Sequence, residues 1–284
     1  EILICDNFSA DYTGKICKEF ENNYSFVKYK RNNKNLGFDG NIKKIIEEAS
    51  TPYVWFLGDD DEIKFGGIKY VLDILIRKEY AGIVVNYALI DRSSKCVIKE
   101  RVINEKLDIE FNNPDSLLGT LGINHNFMSS IIINRNFYRY DELKGFLGLK
   151  WFHYIVFMEI IKSGKSYLVA YPFVENKGIY IDGPNEANKD GVSLKIFFDL
   201  IDFIAQLSPS YYSIYTKKKA TSSTFSYLYR KVVSAKINGL DFDIFYLKKF
   251  QDPQCFSQTL YPNGRHLNLL IFHLKCILLI LLDV

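Results

Sequence analysis

The chain has little cysteine, little tryptophan and almost no net charge. Its five cysteines (Cys5, Cys17, Cys96, Cys255 and Cys276) stand far apart, without a Cys-x-x-Cys pair. That excludes a disulfide framework or a zinc ribbon and fits a reduced, cytoplasmic protein. Basic residues number 36 against 33 acidic ones, a formal charge of +3, so the electrostatic footprint of a nucleic-acid binder is missing and no nucleic-acid partner is expected. There is no internal repeat, and no signal-peptide pattern opens the chain; Glu1 stands inside a strand pattern. The most aliphatic stretch, Leu267 to Leu282, is broken by Asn268, His273 and Lys275, short of the roughly 20 apolar residues of a membrane span. What the 284 residues do contain is 48% hydrophobic residues, with 20 Tyr and 22 Phe. They can bury a sizeable core, in one large domain or a domain with an appendage.

Hydrophobic spacing predicts alternating strands and helices over residues 1–90. Ile2-Leu3-Ile4-Cys5 is a short apolar strand ending in Asp6 and Asn7. Thr13, Ile16, Cys17 and Phe20 share one helical face, Phe26 to Tyr29 form a second strand, and Ile42, Ile45, Ile46 and Ala49 line a helix closed by Pro52. Tyr53 to Leu57 is apolar throughout, as a strand covered on both faces should be. A helix through Ile68, Val71, Leu72, Leu75 and Ile76 and a strand from Ile83 to Leu89 follow. This order predicts an α/β layer with a mostly parallel sheet and helices on both faces. Further on, Ser129 to Ile133 reads as a strand and Trp151 to Lys162 as a helix. Residues 176–192 read as a Gly/Asn-rich loop, and the chain from Ser193 onward is helical, basic and aromatic.

The sharpest chemical feature is Asp59-Asp60-Asp61 directly after the apolar strand. Ligands of open α/β sheets bind beyond the carboxyl ends of strands. Clustered carboxylates there repel one another unless a cation compensates, and Mg²⁺ or Mn²⁺ takes carboxylate oxygens together with substrate phosphates. A solvated acidic turn is the bland alternative, which the position at a buried strand end disfavours. Asp6 with Asn7 ends another strand and could accept hydrogen bonds from a nucleobase or ribose, or simply cap the following helix. Asn35-Leu36-Gly37-Phe38-Asp39-Gly40-Asn41 reads as a loop-to-helix entry with Asn41 as the cap.

Three segments, EILICDNFSADYT, NLGFDGNIKKIIEEA and YVWFLGDDDEIKFGG, together resemble the family 2 glycosyltransferases of the GT-A fold. They are most similar to abequosyltransferase-type enzymes of bacterial surface polysaccharide synthesis. The resemblance implies a GT-A domain over residues 1–190, with its nucleotide-sugar half in about 1–90, and a helical region over 191–284 that could be membrane-peripheral. It implies that Asp6, Asn7, Asn35, Gly37 and Asp59 contact the nucleotide-sugar donor, and that Asp60 and Asp61 hold the Mn²⁺ or Mg²⁺ bridging its diphosphate. The acceptor is then a glycan or lipid-linked glycan at the inner face of the cytoplasmic membrane, and transfer inverts the anomeric centre. The family's opening strand has no counterpart before Glu1, so the sequence reads as N-terminally truncated. Its usual acidic base is also missing, and the matching position falls on Phe152-His153. His153 is the expected base, since imidazole can take a proton near neutral pH. Glu159 is a weaker substitute, and His125 could face the acceptor. The stretch around Asp182-Gly183-Pro184-Asn185 is a candidate lid, and Leu267, Leu270, Ile271, Leu274, Leu278 and Leu281 share helical spacing suited to a membrane surface or to the core. A nucleotidyltransferase, or a non-catalytic remnant acting as an assembly partner, are the rival readings.

Overall fold

The computed structural model describes residues 1–179 and 192–222, in two compact units. The first unit takes in residues 1–90, 95–113 and 125–179. It opens with the expected alternation of β1 (Ile2–Asp6), α1 (Thr13–Asn23), β2 (Val27–Arg31), α2 (Gly37–Glu48) and β3 (Tyr53–Trp55). β1 and β2 pair in parallel, with Ile2 opposite Val27 and Asp6 opposite Arg31. There follow β4 (Glu62–Ile63), α3 (Gly67–Arg77), β5 (Gly82–Asp91), β6 (Val97–Lys99) and β7 (Ile109–Phe111). The remaining elements are α4 (Pro114–Leu121), β8 (Ile131–Asn134), α5 (Tyr140–Leu143), α6 (Phe152–Ile160), β9 (Ser166–Ile179) and α7 (Val192–Gln206).

The main sheet has seven strands, in the order β3-β8-β5-β9-β4 with β6 on β5 and β7 on β9. The α/β class is as expected, but strand direction is not mostly parallel. β8 runs antiparallel to both β3 and β5, and β4 and β7 run antiparallel to β9. The reason is topological. Residues 1–90 make β3 and β5 point the same way, but β8 arrives from residue 131 and inserts between them in the opposite sense. Ile131-Ile132-Ile133 is buried along its whole length, as a strand with both faces covered must be. On one face Ile83, Val85 and Tyr87 of β5 pack with Ile132, Val169, Val174 and Val71. On the other lies α6, where a Cβ on Gly82 would stand 2.6 Å from the Phe157 ring. The absent side chain is what lets the helix sit against the backbone.

Two boundaries moved. α2 begins at Gly37, whose φ of 72° suits glycine, rather than at Asn41. Asn41 lies inside the helix and donates its amide to the Cys5 carbonyl of β1 at 3.1 Å. Residues 176–179, expected in a loop, complete β9; residues 180–191, with the candidate lid, lie outside the described residues.

α6 is buried at eight of its nine residues, so its free N-terminal amides have no water to turn to. Asp39 of α2 supplies the acceptor. Its carboxylate, 4% exposed, receives the backbone N–H groups of Gly148 (2.7 Å), Lys150 (2.9 Å) and Phe152 (3.2 Å). The left-handed φ angles of Gly148 (99°) and Lys150 (62°) curl the segment so that these amides converge. A carboxylate at a helix N-terminus also meets the positive end of the helix dipole.

The second unit contains residues 91–94 and 114–124 and the chain from 180 onward. Among its described residues, Asp115 of α4 accepts the Ser213 amide at 2.7 Å. The buried Lys217 donates to the carbonyls of Ala205 and Leu207 at the end of α7, where a cation is favoured by the helix dipole. No described helix is long and apolar enough to cross a membrane. The periodic tail, Leu267 to Leu281, lies outside the described residues.

Replacing Asp39 with Ala orphans one buried and two part-buried amides at once. The expected loss is about 3 kcal/mol in urea unfolding, with Asp39→Asn intermediate because it keeps one acceptor oxygen. Wild-type stability in Asp39→Ala would show that the 148–152 segment finds other partners.

Candidate active site

The acidic turn follows β3 at once, and its geometry is set from 68 residues away in sequence. Ser129, fully buried, donates its hydroxyl to Asp61 Oδ2 at 2.5 Å and accepts the Gly58 amide at 2.8 Å. Its carbonyl accepts the Trp55 indole N–H at 2.9 Å. Asp61 Oδ1 also receives the Lys177 amide at 3.3 Å. Burial, with Asp60 and Asp59 close by, pushes the Asp61 carboxyl up despite the Ser129 bond. Asp61 therefore belongs to the frame of the turn in this structure. Asp59 and Asp60 are exposed.

The donor-binding residues expected at the end of β1 form a closed asparagine network. Asn7 donates to Asn35 Oδ1 at 3.0 Å and to the Gly37 carbonyl at 3.1 Å. Its own oxygen accepts from Asn32 at 3.1 Å and from the Leu36 amide at 2.8 Å. Asn35 also accepts the Gly37 amide at 2.8 Å, and Asn32 donates to Asn41 at 2.9 Å. These side chains lock the loop between β2 and α2 onto the end of β1.

Asp6 lies buried at the end of β1. Its side chain has no exposed surface; Oδ1 accepts the Ser9 amide at 2.7 Å and Oδ2 the Tyr29 hydroxyl at 2.7 Å. Burial alone would push its carboxyl up, but the bonds from Ser9 and Tyr29 and the Arg31 guanidinium at 3.4 Å hold it below the usual range. In this conformation no edge of Asp6 is open to a nucleobase. The groups presented to solvent beside it are Arg31 and Phe8, with the guanidinium 4.6 Å from the ring centroid. Phe8 holds a left-handed φ of 72°, a conformation of some cost for an aromatic residue.

His153 is also inside. It is 4% exposed, with Nε2 2.9 Å from the Asn126 carbonyl, which assigns the proton to Nε2. The ring stands edge-on to Phe38 at 5.5 Å. Burial pulls its pKa down to about 4, leaving a neutral ring and a weak base. In this structure the ring is enclosed and links α6 to residue 126. His125 is fully buried beside Tyr154 and Phe157, not facing an acceptor, and Glu159 pairs with Lys162.

The pieces nevertheless meet. Asn7 holds Asn35 and Gly37, Phe38 touches His153, His153 holds Asn126, and Ser129 three residues on holds Asp61. A chain of contacts thus runs from the asparagine network through the start of α6 to the acidic turn. Sequence reading missed Ser129, Asp39, Asn32 and Arg31. An Arg in register with Asp6 on the next strand is the one signal that was available for any of them.

Metal fit rests on the donor set. Asp59 and Asp60 are hard oxygen donors on an exposed turn, which suits a divalent ion that takes one or two carboxylates together with phosphate oxygens and water. No group of three or more His, Cys, Asp or Glu that could hold a metal exists among the described residues, so the protein alone offers a partial coordination sphere.

Comparison with known proteins places this region in context. Residues 1–133 match the family model described as glycosyl transferase family 2. Abequosyltransferase RfbV of Salmonella typhimurium is 28% identical over 222 residues, covering 73% of this chain and 64% of the relative; the chain thus spans a little under two thirds of that protein's length. A crystal structure of S. aureus TarS, residues 1–349, matches with a TM-score of 0.58 at 12% identity, over 94% of this chain and 73% of that one. That likeness concerns the fold, which is of the GT-A type.

Protonation of His153 makes a pH prediction. Its folded pKa of about 4 lies below its ordinary 6.5, so between those values the unfolded chain takes up a proton that the folded chain does not. Stability should fall as pH drops through that window, by on the order of 3 kcal/mol from this group. Urea unfolding of His153→Phe should lack that part of the slope; identical slopes in both proteins would contradict a buried neutral ring.

Proposed function

We propose that this chain, whose residues 1–133 match the glycosyl transferase family 2 model, is a member of that family and transfers a sugar from a nucleotide-sugar to a glycan hydroxyl in bacterial surface polysaccharide synthesis. The observation that carries the reading is the turn after β3, where two exposed carboxylates stand on a frame fixed by Ser129 and Asp61. Asp59 is assigned to the donor ribose and Asp60 to the metal. A Mn²⁺ or Mg²⁺ bound there would neutralise charge developing on the departing diphosphate. The chain's own part is positional. The Ser129 bond keeps Asp60 at the strand end, and the asparagine network shapes the loop beside the donor. The acceptor oxygen attacks the anomeric carbon as that carbon's bond to the diphosphate breaks, with inversion, and the proton of the acceptor hydroxyl is released to solvent. The name of the Salmonella relative, an abequosyltransferase, supports a hexosyl or deoxyhexosyl donor.

A cytoplasmic location, with the acceptor at the inner membrane face, is part of the same proposal, motivated by the apolar spacing of Leu267 to Leu281. Full-length protein should sediment with anionic liposomes at low salt, and protein that stays in the supernatant at low salt removes that part.

Turnover tests the whole reading. With Mn²⁺, the protein should release nucleoside diphosphate from its nucleotide-sugar, and Asp60→Asn should lower the rate by at least about 100-fold. Asp60→Asn turning over at the wild-type rate would refute the assignment. If His153 only ties α6 to residue 126, His153→Gln should keep most of the rate that His153→Ala loses.

A further inference from the structure

Gly58 and Gly178 flank the acidic turn, and neither is a glycine for backbone reasons. The glycines with positive φ are Gly37, Gly66, Gly122 and Gly148 among the described residues. What the two share is the side chain they face. A Cβ on Gly178 would stand 2.8 Å from Asp60 Oδ2, and a Cβ on Gly58 would stand 2.7 Å from Asp61 Oδ2 and 3.3 Å from Asp60 Oδ1. We infer that Gly178, with Gly58, is a positioning residue for Asp60, and that its missing side chain leaves the space in which the carboxylate assigned to the metal stands. The inference rests on the donor-binding reading above.

Why the segment lies there is also visible. Glu62 of β4 pairs with Glu175 of β9, Lys177 bridges Glu62 and Glu175, and the Lys177 amide reaches Asp61. The end of β9 is thus laid against the turn one residue before Gly178. The two glycines differ in what a methyl group would disturb. At Gly58 it would press on Asp61 Oδ2, which Ser129 holds, so the frame itself would shift. At Gly178 it would press on the far end of an exposed side chain, so Asp60 itself would have to turn before the frame does. The loss should therefore fall on the orientation of Asp60 and on little else. Gly82 is the counterexample, because there the opposing group is a buried ring.

The test is calorimetric titration of the full chain with UDP, GDP, CDP and dTDP in turn, in Mn²⁺ and in EDTA. For the nucleotide that binds, Gly178→Ala should reduce the Mn²⁺-to-EDTA affinity ratio by about tenfold or more. Its melting temperature and its affinity in EDTA should stay at wild-type values. Adding Gly178→Ala to Asp60→Asn should cost no further affinity, because the group it displaces has already lost its charge. A wild-type ratio in Gly178→Ala overturns this inference alone. A large drop in its melting temperature also overturns it, since the clash would then be borne by the fold. Wild-type protein that binds none of the four nucleotides with Mn²⁺ overturns the donor reading and this inference with it.

Discussion

The acidic turn after β3 is arranged around one buried hydroxyl. Ser129 donates to Asp61 and accepts from the Gly58 amide, so a single side chain closes both ends of the acidic turn. Without it three adjacent carboxylates would repel one another on an unrestrained loop. With it, one carboxylate is drawn inward, where burial favours its protonated form, and the other two are left outside as a pair. The division of labour comes from placement, since the three residues are chemically identical.

The hydroxyl can do this only if the strand end that carries it is itself immobile. Phe56 donates to the Ile131 carbonyl, Trp55 to that of Ser129, and His153 ties α6 to residue 126. Behind them Asp39 anchors the start of α6 to α2, and Asn41 anchors α2 to β1. The polar groups in this chain of contacts are buried or half-buried, where a lost partner costs more than it would at the surface. Rigidity at the turn is paid for by polar satisfaction several residues away.

The sequence made part of this legible. The apolar run Tyr53 to Leu57 followed by three aspartates marks a strand end with charge on it, and local patterning alone locates both. The alternation of residues 1–90 likewise yields the parallel pairing of β1 with β2. What stayed hidden was non-local. Ser129 meets Asp61 across 68 residues and Asp39 meets the α6 amides across more than 100, and no periodicity encodes such partners. For the same reason an antiparallel β8 between β3 and β5 could not be read from an order of elements that ends at residue 90. His153 was weighed by its chemistry above its position beside an otherwise apolar run, Tyr154 to Met158, and its ring lies buried against the Asn126 carbonyl. A histidine there satisfies a buried carbonyl more readily than it meets a substrate.

The central claim is that a nucleoside diphosphate docks on the turn after β3. Hydrogen–deuterium exchange on the full chain, with and without a nucleotide-sugar and Mn²⁺, addresses it directly. The account predicts slowed exchange in residues 57–62, 126–130 and 176–179, each of which bears on Asp60 or on the frame that holds it. Protection confined to other segments, with these three unchanged at saturating ligand, would contradict it.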